Sequence, residues 1–232
     1  MSEMSVVRSS DRDGWTVLVD PPGAIPSAGR ERTAFTSDDA AFTFGLWERE
    51  PDTWSFERPY DEVAMVVAGR ADIEADDGRT LSLNPGDILV TPVGAKGTWT
   101  IHETLLKCFA IYEGGPASDT EVRVFRADES REWIEIERPA GDENPPGEEW
   151  VAFRSGDERL SVGLWHRVAE TGRMDLTYHE VACLTEGEVD VQTDDGRLLP
   201  VGPGDVLVTP KGTGGLWKAK SRVEKLWAVY HE

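Results

Sequence analysis

Shifting the 232-residue chain against itself by 118 positions places Trp15 on Trp133, Gly45-Leu46-Trp47 on Gly163-Leu164-Trp165, Glu62 on Glu180, Gly69 on Gly187 and Lys107 on Lys225, with no gap. Roughly a third of the paired positions are identical, and so long a period marks two copies of a domain rather than a stack of short repeats. The clearest echo is LSLNPGDILVTPVGAKGTWTIHETLLKCFAIY at 81–112, which returns as LPVGPGDVLVTPKGTGGLWKAKSRVEKLWAVY at 199–230. Such a chain should fold as two like units, divided into residues 1–118 and 119–232, each long enough to bury a core of its own.

Within each copy, short segments rich in Val, Ile, Phe and Trp alternate apolar with polar residues and are bounded by Gly, Pro or Asp. In the first copy these are FTFGLWER, VAMVVAG, ADIEADDGRTLSL, GDILVTP, GTWTIHET and LLKCFAIYE. Five or six strands at about ten-residue intervals, with almost no helix-period segment, predict an antiparallel sandwich or small barrel. Asp77-Gly78 and Asp195-Gly196 sit between alternating runs and predict two-residue hairpins. Ahead of the strands, residues 1–40 and 122–157 read as an arm followed by a Pro/Gly-rich loop, PPGAIPSAGRE in one copy and PAGDENPPGEE in the other. Each arm either crosses onto the other domain or covers its own sheet, and the sequence leaves both open.

Composition narrows the partners. The 24 Lys and Arg against 44 Asp and Glu give a net charge of −20, which repels nucleic acid and anionic membrane. No apolar run reaches the length of a membrane span, and MSEMSVVRSSDRDGW lacks the basic-then-apolar order of a signal peptide, so a cytoplasmic location is expected. Cys108 and Cys183 stand at non-equivalent positions of the repeat in apolar runs, as free buried cysteines do.

The turn motifs carry a family resemblance. Pro85-Gly86-Asp87 followed by Pro92 and Gly94, with the same spacing at 203–212, resembles the second cupin motif, and Glu62 to Gly69 and Glu180 to Gly187 resemble the end of the first. The variant continuing to Gly97-Thr98-Trp99 and Gly215-Leu216-Trp217, with a later Lys and an aromatic strand, is similar to the branch containing ureidoglycine aminohydrolase and ethanolamine-utilisation cupins. The resemblance spans nearly the whole chain. It implies an all-β bicupin: two tandem jelly-roll (double-stranded β-helix) barrels related by pseudo-twofold symmetry, as a monomer or a homodimer.

Metal-dependent cupins hold Mn, Fe, Ni or Zn with two histidines, the motif-one glutamate and a motif-two histidine. In this chain the positions counted back from Glu62 hold Ser55 and Glu57 or Phe56 and Arg58, and Gly97 replaces the motif-two histidine. In the second copy they hold Arg173 and Asp175 or Met174 and Leu176, with Gly215 in motif two. Only the glutamates remain, so no tightly bound metal or other cofactor is expected. Softer sets, Glu62 with His102 or His179 with Glu180, are the residual metal candidates, and the second is disfavoured because adjacent strand residues face opposite ways.

The same alternation sends Tyr60 inward with Glu62, and Tyr178 with Glu180. A carboxyl in an apolar barrel beside a phenol suits proton transfer; the plainer alternative is a structural glutamate satisfied by Lys107 or Arg49. Trp47, Trp54 and Trp99 in the first copy, and Trp165, Trp217 and Trp227 in the second, form either pocket walls or core. The expected site therefore has Glu62 as base and Tyr60 as its partner, with Trp47, Arg49, Arg58, Trp99 and Lys107 binding substrate. Its second-barrel equivalents are Tyr178, Glu180, Trp165, Trp217 and Lys225. Because its loop, EREPDTWSFERPYD, is the richer and Asp61 is replaced by His179, the first barrel is expected to be the working one. The expected function is acid–base conversion of a small polar metabolite (isomerase, lyase or hydrolase type). Binding or sensing without turnover, and a metalloenzyme with a nonstandard ligand set, are the alternatives.

Overall fold

The computed structural model describes residues 3–8, 10–11, 13–20, 23–26, 28–116, 119–126, 129–136 and 147–232. Parts of both expected Pro/Gly-rich loops, Pro21, Pro22 and Ser27 in one and residues 139–146 in the other, lie outside them. Every regular element described is a β-strand, and every pairing is antiparallel. No helix long and apolar enough to cross a membrane occurs among the described residues.

The chain separates into two compact units. One, the first barrel, comprises Arg12–Glu129 with Ser155–Arg159; the other, the second barrel, comprises Met1–Asp11, Ser130–Arg154 and Leu160–Glu232. In the first barrel the backbone order runs Arg123–Phe125, Ile88–Thr91, Asp61–Ala75, Lys96–Tyr112, Phe42–Arg49, Gly29–Thr36, Thr16–Val17. Thr53–Glu57 adds to Lys96–Tyr112, and Thr80–Leu83 to Asp61–Ala75. The second barrel repeats this as a sheet ordered Ser5–Arg8, Asp205–Thr209, His179–Glu186, Val223–Tyr230, Leu160–Arg167, Glu148–Arg154, Ile134–Glu135 and a four-stranded sheet of Glu170–Asp175, Gly214–Ala219, Val189–Thr193 and Leu198–Val201.

The compact units do not follow a cut at 118/119, because the leading strand of each copy belongs to the unit built from the other. Ser5–Arg8 pairs with Asp205–Val208, and Arg123–Phe125 pairs with Ile88–Val90. Both are fixed in the same way by the aspartate of the Pro-Gly-Asp turn. Asp205 takes the Gly202 amide at 3.1 Å and Arg8 at 2.6 Å; Asp87 takes the Asn84 amide at 2.9 Å and Arg126 at 2.8 Å. A short carboxylate that satisfies a turn amide and an arginine together locks the turn to the added strand. Met4 reaches the core cluster of the second barrel with Leu184, Val191, Leu207 and Trp217, and Val122 that of the first with Val66, Ile73, Leu89 and Trp99.

Two details depart from the sequence reading. The segments expected as separate strands before and after Gly69 form one long, irregular strand, Asp61–Ala75, with register shifts between Val66 and Ala71. Gly69 makes the bend possible: its φ is +86°, and a Cβ there would lie 2.2 Å from the Thr104 carbonyl oxygen; Gly187 repeats this against Arg222. The hairpins at Asp77-Gly78 and Asp195-Gly196 form where expected but with three-residue loops. The Ala75 amide bonds the Arg79 carbonyl, the Gly78 amide bonds the Ala75 carbonyl, and Gly78 takes φ +84°, a turn closed by a left-handed residue. Cys108 and Cys183 are buried thiols rather than disulfide partners, each within reach of a backbone carbonyl oxygen.

Candidate functional site

In the first barrel a cavity of about 370 Å³ opens over the motif-one glutamate. Alternation on Asp61–Ala75 turns Glu62 toward it and Asp61 away, and the preceding Tyr60 also lines it. Strand Lys96–Tyr112 supplies Trp99 and Lys107, Phe42–Arg49 supplies Trp47, and Thr53–Glu57 supplies Trp54 and Phe56. Trp54 and Trp99 stack with centroids 5.9 Å apart, and Trp47 leans on both at 6.2 and 6.5 Å. These rings are core and wall at once, since Trp99 is 1% exposed yet lines the cavity.

The charges are threaded between the rings. Glu62, 3% exposed, is ion-paired with Lys107 and lies 3.0 Å from the Arg58 guanidinium. Lys107 stands 4.9 Å from the Trp47 ring centre and 5.5 Å from that of Trp99. Arg58 donates to Thr91 at 3.2 Å and packs over Phe56 at 4.9 Å. Burial alone would raise the Glu62 carboxyl, but Arg58 and then Lys107 outweigh it and hold it below the ordinary carboxylate value. Burial draws the Lys107 ammonium down, with Glu62 opposing. The Tyr60 phenol is pushed up by burial and then by the Glu62 charge. Glu62 is thus a fixed anion, and its partners are Lys107 and Arg58 rather than Arg49.

Arg49 is expected to bind substrate, and it does line the cavity, but its guanidinium is held elsewhere. It pairs with Asp52 at 2.6 Å, bonds the Ile25 carbonyl at 3.2 Å and covers Trp54 at 4.6 Å. The second barrel repeats this clip as Arg167–Glu170 at 2.5 Å, which marks it as a structural feature of the repeat.

One titratable wall residue escaped the sequence reading. Glu31, on Gly29–Thr36 directly across from Trp47, lines the cavity. Burial lifts its carboxyl above the ordinary value, Lys107 opposes the rise and the Glu62 charge adds to it. The available signal was the repeat: Glu149 occupies the same place across from Trp165.

The second barrel holds the corresponding set around a cavity of about 620 Å³. Glu180 is ion-paired with Lys225, which stands 4.9 Å from Trp165 and 5.4 Å from Trp217; those rings meet edge to face at 6.1 Å. Burial and then Glu180 push the Tyr178 phenol up.

The histidines proposed as metal candidates go elsewhere. His102 is exposed and bonded to Asp72 at 2.8 Å, so it does not join Glu62. His179 faces away from Glu180, and its Nδ1 accepts the Lys211 amide at 3.1 Å. Asp61 accepts the Val93 amide at 2.8 Å at the equivalent place. The Asp-to-His exchange is therefore two ways of holding one turn, and it carries no argument about which barrel works. A lone carboxylate between two cations does not suit a divalent ion, and the counterpart in the second barrel is Glu180 paired with Lys225. Among the described residues no three His, Cys, Asp or Glu gather into a metal-binding group. The donor set does not fit a family-type metal.

Duplicated antiparallel barrels, each with a Pro-Gly-Asp turn and a glutamate facing an aromatic-walled cavity, define a cupin protein. The chain belongs to the EutQ-like cupin family, whose domain matches residues 36–109 and 146–227. No curated protein sequence matches it. Among solved structures it resembles a protein of unknown function from Pseudomonas syringae pv. tomato, at 19% identity and TM-score 0.79 over 99% of this chain and 100% of that one. It also resembles Ylba from E. coli, at 14% identity and TM-score 0.67 over 99% of this chain and 91% of the other. Streptomyces albus HEPD with 2-hydroxyethylphosphonate and Fe(II) bound is similar at 12% identity and TM-score 0.67, over 98% and 76%. At these identities the likeness is one of fold.

Proposed function

We propose that the first barrel is a small-molecule site that performs acid–base chemistry on a small polar metabolite, of isomerase, lyase or hydrolase type, with Glu31 as the proton-transfer group. The observation that carries this reading is the pairing of two carboxyls in one cavity whose surroundings push them apart, Glu62 held ionised by Arg58 and Lys107 and Glu31 lifted by burial. Two carboxyls so separated divide the labour of proton transfer: the raised one holds and exchanges a proton more readily, and the lowered one stays a fixed charge. Glu62 then serves to orient Lys107 and Arg58 toward substrate rather than as the base, and Tyr60 supplies a phenol O–H to a substrate oxygen. Trp47, Trp54 and Trp99 exclude water around the reacting atoms.

A second reading, capture without turnover, is favoured by the mutual neutralisation of Glu62 and Lys107, which is stable without any substrate. The test is a thermal-shift screen of small carboxylates, sugars and amino-acid derivatives, with stabilising compounds followed by NMR for conversion. We expect a compound that wild type converts and Glu31→Gln binds but converts at least about a hundredfold more slowly. Equal conversion by Glu31→Gln overturns the role of Glu31, and recovery of every bound compound unchanged supports capture.

A further inference from the structure

Six lining residues are the same in the two cavities: Trp47, Arg49, Tyr60, Glu62, Trp99 and Lys107 match Trp165, Arg167, Tyr178, Glu180, Trp217 and Lys225. Ser55 matches the exposed, doubly paired Arg173, and the buried change of charge is at Arg58, which matches Leu176. The backbone there is the same in both: the Arg58 amide bonds the Ala95 carbonyl at 2.9 Å and its carbonyl takes the Gly94 amide at 2.7 Å. Leu176 does so with Thr213 at 3.1 Å and Gly212 at 2.8 Å. The substitution therefore changes charge at a fixed place.

Its effect follows from counting the ions facing each cavity. In the first, Arg49 is matched by Asp52 at 2.6 Å and Asp20 at 3.3 Å, and Glu57 by Lys96 at 3.1 Å, which leaves Arg58 and Lys107 sharing Glu62. Glu31 is the one further acid, and burial favours its neutral form. In the second, Lys225 is matched by Glu180, Arg167 by Glu170, and Arg173 by Asp175 at 2.7 Å and Asp194 at 2.6 Å. In the first cavity two cations share one carboxylate, inside a chain of net charge −20, whereas in the second each cation has a carboxylate of its own. Two buried cations that share one carboxylate are stabilised by a further anion that enters, and an anion entering the second cavity would find every cation already matched.

We propose that Arg58 makes the first-barrel cavity select a small carboxylate-type monoanion, whereas Leu176 leaves the larger second-barrel cavity to uncharged ligands. This rests on reading the first cavity as a small-molecule site, and it adds a charge rule that acid–base chemistry alone does not require. The flat walls of Trp47, Trp54 and Trp99 suit a planar probe, so benzoate and its uncharged isostere benzamide separate charge from shape. Calorimetric titration of the full chain should show benzoate bound at least about tenfold more tightly than benzamide at one site. Arg58→Leu, an environment the second barrel already accommodates around its own Glu–Lys pair, should erase that preference, and Arg58→Lys should keep it. Leu176→Arg should create a second benzoate site. The proposal is overturned if wild type shows no preference for benzoate, if Arg58→Leu retains the preference, or if Leu176→Arg adds no site. Conversion by wild type but not by Glu31→Gln is judged separately, so a failed charge rule and a failed catalytic reading give different results.

Discussion

Replacing Glu62 by Gln keeps the shape of the side chain and removes the charge that two buried cations face. Lys107 and Arg58 have side chains only 5% and 14% exposed, so solvent does little to take over from the lost carboxylate. Removing one member of a buried ion pair costs about 3–5 kcal/mol, and the surviving amide oxygen, still able to accept one bond, places this case near 3 kcal/mol. That is a large part of the roughly 5–15 kcal/mol that holds a domain folded. Glu180→Gln should cost less, under about 2 kcal/mol, because Glu180 has Lys225 as its ion-pair partner and both are more exposed, at 17% and 13%. Hydrogen exchange of the full chain in neutral buffer, resolved to Asp61–Ala75 and Lys96–Tyr112, reads the loss where it occurs. The difference has a pH signature. The Glu62 carboxyl is lowered in the folded state, so its contribution is present above the ordinary carboxylate range and lost as pH falls through the folded value. Wild type and Glu62→Gln should therefore converge in acid. Protection of Glu62→Gln within about 1 kcal/mol of wild type at neutral pH, or a larger loss in Glu180→Gln, would refute the reasoning.

Deleting residues 1–8 should loosen the second barrel, because Ser5–Arg8 covers the edge at Asp205–Val208 and Met4 is buried in that core. Exchange should rise in His179–Glu186 while Asp61–Ala75 is unchanged, and Met4→Ala alone should cost about 2–5 kcal/mol. His179→Asp keeps an acceptor for the Lys211 amide and should change stability by less than about 1 kcal/mol in urea unfolding, whereas His179→Ala leaves that amide unpaired and should cost about 1–3 kcal/mol.

Much of this architecture was legible because the repeat prints its geometry twice. The inward pairs Tyr60/Glu62 and Tyr178/Glu180 followed from strand alternation, and the motif glycines from turns that reject a side chain. The exchange of leading strands was not legible: an alternating tetrapeptide such as Ser5–Arg8 pairs equally well with any apolar edge, and the Arg8–Asp205 and Arg126–Asp87 bonds, with Met4 and Val122 seated in the cores, choose one. Arg49 misled because a charged residue near a pocket looks like a ligand anchor until Asp52, three residues on, is seen to hold it. His179 misled for a related reason, since a change of residue type suggested a change of role while the ring took over the Asp61 hydrogen bond. Glu31 was hidden because it closes the Pro/Gly-rich segment read as a loop, whereas it lies on strand Gly29–Thr36, and its importance comes from Lys107 and Glu62, which the fold alone brings beside it.

The most direct test of the central claim is a carbon-detected NMR titration of the side-chain carboxyls in the full chain, with Glu31→Gln and Glu62→Gln to assign the two resonances. The account predicts that Glu31 titrates above the ordinary glutamate value and that Glu62 titrates below it, so that the two separate in opposite directions. If Glu31 titrates at or below the ordinary value, or Glu62 is the one that rises, the first barrel does not hold the divided pair of carboxyls on which the proposed chemistry depends.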